Sequence, residues 1–291
     1  MHPAPSVIIF SVLSGLGFGL LAWLTLGLPD VSGWVLFTFF AIGYALAVGG
    51  LISSTFHLGN PQRALLAFTQ WRSSWLSREA WLSVLSLVTT GLYALAAIFF
   101  DTYFVPLGWI ASLLSLATVF STSMIYAQMK TVPRWKHWTT NALFLLLSAG
   151  GGALLAAQTT AAWILLAAAL AVQILNWSKG DTAFARSGST TETATGLGAI
   201  GKVRLFEAPH SGGNYLLDEM VYRIGRKHRN RLRAITVICM AAPIVLLIVS
   251  PLGHLAALVA VVVHLTGVFA SRWLFFAEAE HVVGLYYGKA P

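Results

Sequence analysis

The chain has 291 residues, of which 57% are hydrophobic and only 10% charged, and its mean hydropathy is +0.75. That balance excludes a soluble globular domain at this length and sets the class as a polytopic membrane protein. The formal net charge of +8 does not point to nucleic acid, because the basic residues sit in connections between apolar segments, where membrane topology accounts for most of them.

Eight apolar segments follow one another along the chain, at residues 5–26, 34–57, 78–99, 104–127, 141–158, 160–177, 234–251 and 253–276. Each is long enough to cross about 30 Å of hydrocarbon as a helix. The expected fold is therefore all-α: eight transmembrane helices in a single membrane domain over 1–291. All 18 Lys and Arg residues fall in the even-numbered connections and the C-terminal tail, counting Arg78 and Arg272, near the ends of the third and eighth segments, with the connection and the tail that they border. Arg63, Arg72 and Arg78 lie in the second connection, and Lys130, Arg134 and Lys136 in the fourth. Ten more lie in the sixth, from Lys179 to Arg233, and Arg272 and Lys289 belong to the tail. The odd connections hold none, and two of them carry Asp30 and Asp101. By the positive-inside rule, both termini and the even connections are expected in the cytoplasm, with the protein in the inner membrane of a bacterium. The N-terminus, Met-His-Pro-Ala-Pro, has no basic region and no arginine pair, so no signal peptide is expected.

The sixth connection, 178–233, is the one cytoplasmic segment large enough to form a cap. Its Ser-, Thr- and Gly-rich first half reads as irregular chain. Its second half places Leu216, Leu217, Met220, Val221 and Ile224 at helical spacing, which predicts an amphipathic helix at the interface or a partner-docking surface. Within the spans, small residues recur at Gly15, Gly17 and Gly19, at Gly49 and Gly50, and at Gly150, Gly151 and Gly152. In lipid, such residues let helix backbones approach closely.

Ionisable groups at the edge of apolar spans are where function is sought first, since burying them is costly. His57 ends the second span, Pro61 stops that helix from continuing, and Arg63 follows. Arg78 and Glu79 open the third span. A quinone needs an apolar slot, a donor for its carbonyl oxygens and a proton relay. His57, Arg63 and Glu79 offer these groups, with Arg78 and His281 as secondary candidates. The bland alternative is a polar cluster that caps helices and snorkels. His264 lies near the middle of the eighth span. A haem held by two histidines needs a second one at matching depth, and no other span supplies it, so no haem is expected, although His57 and His281 at one edge leave that geometry open. The single cysteine, Cys239, lies within the seventh span, so neither a disulfide framework nor a cysteine-held metal or iron–sulfur site is expected.

The stretch His-Leu-Gly-Asn-Pro-Gln-Arg-Ala at 57–64, with Ser77, Arg78 and Glu79, and the tail from Arg272 (RWLFFAEAEHVVGLYYG), resemble the membrane anchor subunits of the dimethyl sulfoxide reductase family. The resemblance extends over essentially the whole chain. It implies that His57, Arg63 and Glu79 belong to a quinone site for ubiquinone or menaquinone, and that the molybdopterin and the iron–sulfur clusters sit on partner subunits. Within the family, the stretch VRLFEAPHSGGNYLLDEM at 203–220 looks most like the anchors of cytoplasmic sulfite dehydrogenases. A cytoplasmic partner agrees with the charge map, which puts both termini, the long connection and the His57 cluster on the cytoplasmic side. The resemblance thus implies a subunit that passes electrons from a cytoplasmic iron–sulfur protein, fed by sulfite oxidation, to membrane quinone. Other readings remain: a quinol-oxidising anchor of a related S-oxide or oxyanion reductase, a secondary transporter, or an assembly scaffold.

Overall fold

The computed structural model describes residues 2–57, 60–207, 212–221, 228–249 and 253–288. Among them there is no strand, and eight helices are long and apolar enough to cross a membrane. These are α1 (Pro5–Thr25), α2 (Gly33–Ser53), α3 (Trp75–Phe100), α4 (Val105–Ala127), α5 (Trp138–Leu155), α6 (Thr159–Gly180), α9 (Arg229–Val249) and α10 (His254–Ala277). Two short helices, α7 (Ala183–Arg186) and α8 (Thr191–Thr195), interrupt the Ser- and Thr-rich stretch expected to be irregular. Thr190 builds the second of them, accepting from the Thr193 backbone N–H while the Thr193 hydroxyl accepts from its own, a reciprocal cap that favours a helix start. Further on, the amphipathic run forms a single wide turn over Leu216–Met220. Ile224 and the Leu217 side chain lie outside the described residues.

Several helix ends differ from those read off hydropathy. The α3 helix starts at Trp75 rather than at 78, α5 at Trp138 rather than at 141, and α9 at Arg229 rather than at 234. In α9 the added turn is charged, and it is helical because its arginines find acids: Arg233 reaches both Asp181 and Glu278 at 2.7 Å. Hydropathy alone cannot register a charged turn stabilised in this way.

Successive spans pair as hairpins across short connections: α1 with α2, α3 with α4, α5 with α6, and α9 with α10. The α1 helix is the axis of the bundle. It packs against α2, α4 and α5 and also reaches α3 and α10, and most of its residues are buried. Its glycines explain that centrality. Gly17 faces the backbone of Ala47 and Gly19 that of Ser148, so a methyl group at either position would meet main chain rather than only a movable side chain. Close backbone contact of this kind drives association in lipid, where burial of apolar surface does not.

The α3 helix shows the inverted amphipathicity of a membrane protein. Its buried face carries Ser77, Glu79, Ser83, Ser86 and Thr90, and its exposed face carries Leu85, Val88, Leu92 and Leu95. Of these inward hydroxyls, Ser86 meets the Ser115 hydroxyl at 2.8 Å and Ser83 donates to the Ala80 carbonyl, whereas those of Ser77 and Thr90 are buried without a hydrogen-bond partner among the described residues. With alternating helix directions, every described Lys and Arg lies in a connection or within about two turns of a helix end on one side of the bundle.

Candidate functional site

The α2 and α3 helices touch in their middle and far halves and part toward the basic end. The Tyr44 hydroxyl donates to the Leu87 carbonyl at 2.6 Å, and the Phe40 and Tyr93 rings lie 6.4 Å apart. Beyond Ser53 the chain cannot continue as a regular helix toward Pro61. It instead forms a 3₁₀ turn at Ser54–His57 and, after the proline, a second at Pro61–Phe68. This strap closes over the gap between α2 and α3. It is pinned to α3 where the Trp81 indole N–H donates to the Phe68 carbonyl at 3.0 Å and the two rings meet edge to face.

Beneath the strap lies a cavity of about 670 Å³, a size usual for small-molecule sites. Its walls are mainly apolar, with Val7 and Phe10 from α1, Leu51 from α2, Leu76 and Val84 from α3 and Ile125 from α4. Polar groups sit at its two ends. Asn60 and Arg63 lie exposed on the strap side, whereas Glu79, Ser83 and Tyr126 lie within the bundle. The Glu79 side chain is buried and accepts a short hydrogen bond from the Thr122 hydroxyl. The same hydroxyl also lies 3.1 Å from the Thr118 carbonyl. Among the described residues no Lys, Arg or His forms an ion pair with Glu79. A buried carboxyl in a membrane helix, held by one hydroxyl and facing a cavity, is a costly arrangement, which makes Glu79 a candidate functional group.

Of the residues singled out from the sequence, Arg63 and Glu79 share this cavity. The backbone of His57 ends the first strap turn, while its side chain lies outside the described residues. Arg78 is adjacent in sequence but faces elsewhere. Its guanidinium donates to the carbonyls of Trp71 and Arg72 at 3.0 and 2.7 Å and stacks over Trp75 at 4.3 Å, so it secures the far end of the strap. His281 is the N-cap of the 3₁₀ segment Val282–Tyr287, its Nδ1 accepting from Val283 N at 3.0 Å. Burial, and then the positive N-terminus, hold its pKa below the usual histidine value. It does not line the cavity.

Thr122 and Tyr126 were not singled out from the sequence. Their signal was present: Ser121, Thr122 and Ser123 interrupt an apolar span, and Tyr126 lies one turn beyond them. Tyr126 forms the inner wall of the cavity and packs edge to face on Trp135, Phe275 and Phe276. Behind this aromatic layer, Arg272 is buried with its guanidinium 3.5 Å from the centre of the Phe144 ring, a cation–π contact strengthened by the absence of water. His264, also buried, lines a narrow internal cavity together with Arg272 and Ser148. Among the described residues no group of three His, Cys, Asp or Glu side chains comes together to hold a metal ion.

Residues 1–177 match the family described as DMSO reductase anchor subunit (DmsC). The chain is also 32% identical over 328 residues to a subunit of the sulfite dehydrogenase of Allochromatium vinosum, an alignment covering 99% of each protein. No solved structure matches.

Proposed function

Because the chain belongs to the DMSO reductase anchor subunit family, we propose that it is the membrane anchor and quinone-reducing subunit of a sulfite dehydrogenase. On this reading it takes electrons from an iron–sulfur subunit docked on its basic, cytoplasmic end, itself fed by a molybdopterin subunit. The observation that carries the quinone part is the apolar cavity with a cation at its strap side and a buried carboxyl within.

A bound quinone supplies two-electron, two-proton redox chemistry. The residues fit such a group by polarity. Aliphatic side chains of α1, α2 and α3 accept an apolar ring and tail, and Arg63 offers N–H donors to an oxygen at the strap side. His57, whose backbone ends the first strap turn, is assigned to the site from its position in the sequence alone. Within the bundle, Glu79 holds or releases a proton at a carboxyl fixed in place by the Thr122 hydroxyl, and the strap limits access of bulk water to it. Positive-inside topology would put this relay on the cytoplasmic side, where sulfite oxidation also takes place, so the subunit would build little proton gradient.

The test uses the whole complex. His57→Ala and Glu79→Gln should each lower sulfite-driven quinone reduction by about 100-fold or more, the usual contribution of a positioned acid or base. Dye-linked sulfite oxidation by the same preparation should persist. Unchanged quinone turnover in both variants would overturn the assignment.

A further inference from the structure

On the opposite flank of the bundle, a second cleft of about 460 Å³ opens at the basic end between the start of α5 and the end of α6. It shares no residue with the cavity under the strap. Two separate stretches of sequence line it with cations: Lys130 and Lys136 come from the connection before α5, and Lys179 and Arg186 from the end of α6 and from α7. Positive-inside topology requires cations on this side of the membrane, but it does not require four of them to converge on one cleft. No Asp or Glu lines it. Among the described residues, none of these four cations forms an ion pair with an acid, whereas Arg134, at the back of the cleft, is committed to Asp181 and Glu278.

The floor is polar and fixed. Thr139 and Asn176 are buried there, and the Asn176 amide donates to the Thr139 hydroxyl oxygen at 2.9 Å. His137 caps α5, its Nδ1 accepting from the Thr139 backbone N–H, so its remaining ring proton is on Nε2. Burial, followed by the positive charges of Lys179 and Arg186, holds its pKa below the usual histidine value. The cleft also faces the N-terminus of the 18-residue helix α5, the end whose dipole favours an anion. Beside it, Trp138 is 59% exposed at the first position of α5, as a residue anchored at headgroup level would be.

We propose that this cleft binds a phosphate-bearing anion, with Lys136, Lys179 and Arg186 as its charged ligands and the Thr139–Asn176 pair as its floor. Its place beside an exposed tryptophan at the membrane edge favours the phosphodiester headgroup of an anionic lipid.

The full chain in detergent would be titrated with dioleoyl phosphatidylglycerol, with dioleoyl phosphatidylcholine and with inorganic phosphate, and bound molecules counted by native mass spectrometry. The triple variant Lys136→Gln, Lys179→Gln, Arg186→Gln would be compared with a control carrying the same net charge loss at Arg72, Lys202 and Arg204, which are exposed elsewhere. Phosphatidylglycerol should bind the wild type and the control, and bind the triple variant about 100-fold more weakly, at roughly fivefold per cation near a membrane surface. Phosphate competition at millimolar concentration without lipid retention would identify a soluble phosphate as the occupant and leave the site standing. Equal phosphatidylglycerol binding by the triple variant and the control, or equal retention of phosphatidylcholine and phosphatidylglycerol, would overturn the proposal. So would a triple variant that keeps the lipid but loses a co-purifying protein partner, since the cleft would then be a docking surface. Because these residues lie outside the cavity under the strap, none of these three outcomes bears on the quinone reading.

Discussion

Replacing Glu278 with Gln should cost this protein more stability than any other single charge change. Glu278 caps α10 with its side chain 2% exposed. It accepts from Arg233 Nε at 2.7 Å and from Arg134 Nη1 at 3.4 Å, and Arg229 lies 3.8 Å away. Asp181, at the end of α6, takes the other ends of the two closer guanidinia at 2.7 Å each. Two acids and three arginines thus tie the α4–α5 connection, α6, α9 and α10 together at one corner. Glu278→Gln leaves three cations facing a single acid. Removing one partner of a buried pair costs about 3–5 kcal/mol, and since Arg134 and Arg233 keep Asp181 we expect the lower figure, about 3 kcal/mol. At about 2–4 °C per kcal/mol this is a fall of roughly 6–12 °C in the unfolding midpoint, read by intrinsic fluorescence of the purified chain in detergent. The pH dependence has a defined sign. Hydrogen bonding from Arg233, opposed by burial and aided by Arg134, holds the Asp181 carboxyl well below the usual carboxylate range. Its contribution is therefore complete above a pH of about 4, the unfolded value, and is lost only as the pH falls through the depressed folded value. The wild-type midpoint should begin to fall as the pH drops below about 6.5, where His137 and His281 take up protons more readily in the unfolded chain, and fall further below about pH 4, with that second decline shallower in Asp181→Asn. A Glu278→Gln midpoint within 1 °C of wild type would show that the corner is a set of independent surface pairs and would refute the reasoning.

Thr122→Val keeps the shape of its side chain but removes the donor to Glu79, and should cost about 1–3 kcal/mol as a buried polar group loses its partner, measured by the same unfolding assay. Trp81→Phe preserves the ring packing on Phe68 but not the indole hydrogen bond. It should cost about 1 kcal/mol and hasten proteolysis between residues 60 and 74, while an unchanged cleavage rate would show that the strap is held by other contacts. Gly152→Val drives a branched side chain into the Gly19 backbone of α1 and should abolish accumulation of folded protein in membranes. Gly49→Ala, where an added methyl group meets nothing, should leave accumulation unchanged or raised, since alanine favours the helix by about 1 kcal/mol.

The eight spans were legible because hydrophobic length is a local property. Their ends were less so, and α9 shows why: Arg229 and Arg233 look like loop residues until Asp181 and Glu278, about 50 residues away on either side, are known to face them. The site was legible in part for a similar reason. Arg63 and Glu79 announce themselves as charges beside apolar spans, and they do share a cavity. Arg78 announces itself equally well, but its guanidinium turns back onto the Trp71 and Arg72 carbonyls. One residue of rotation on a helix, about 100°, separates a cavity-lining acid from a strap-securing base, and charge alone cannot distinguish them. Thr122 and Tyr126 were legible only as polar interruptions of a span.

The order of residues along the chain by itself determined eight apolar spans with the cations gathered at one end, because each of those properties is read from local stretches. Only the tertiary structure decided that α2 and α3 part beneath a strap, that Thr122 meets Glu79, and that Lys136 from one connection and Lys179 from another line the same cleft. Those are distances between residues far apart in the chain. They are set by where glycines let α1 come close to its neighbours, and that packing becomes defined only once the whole bundle has formed.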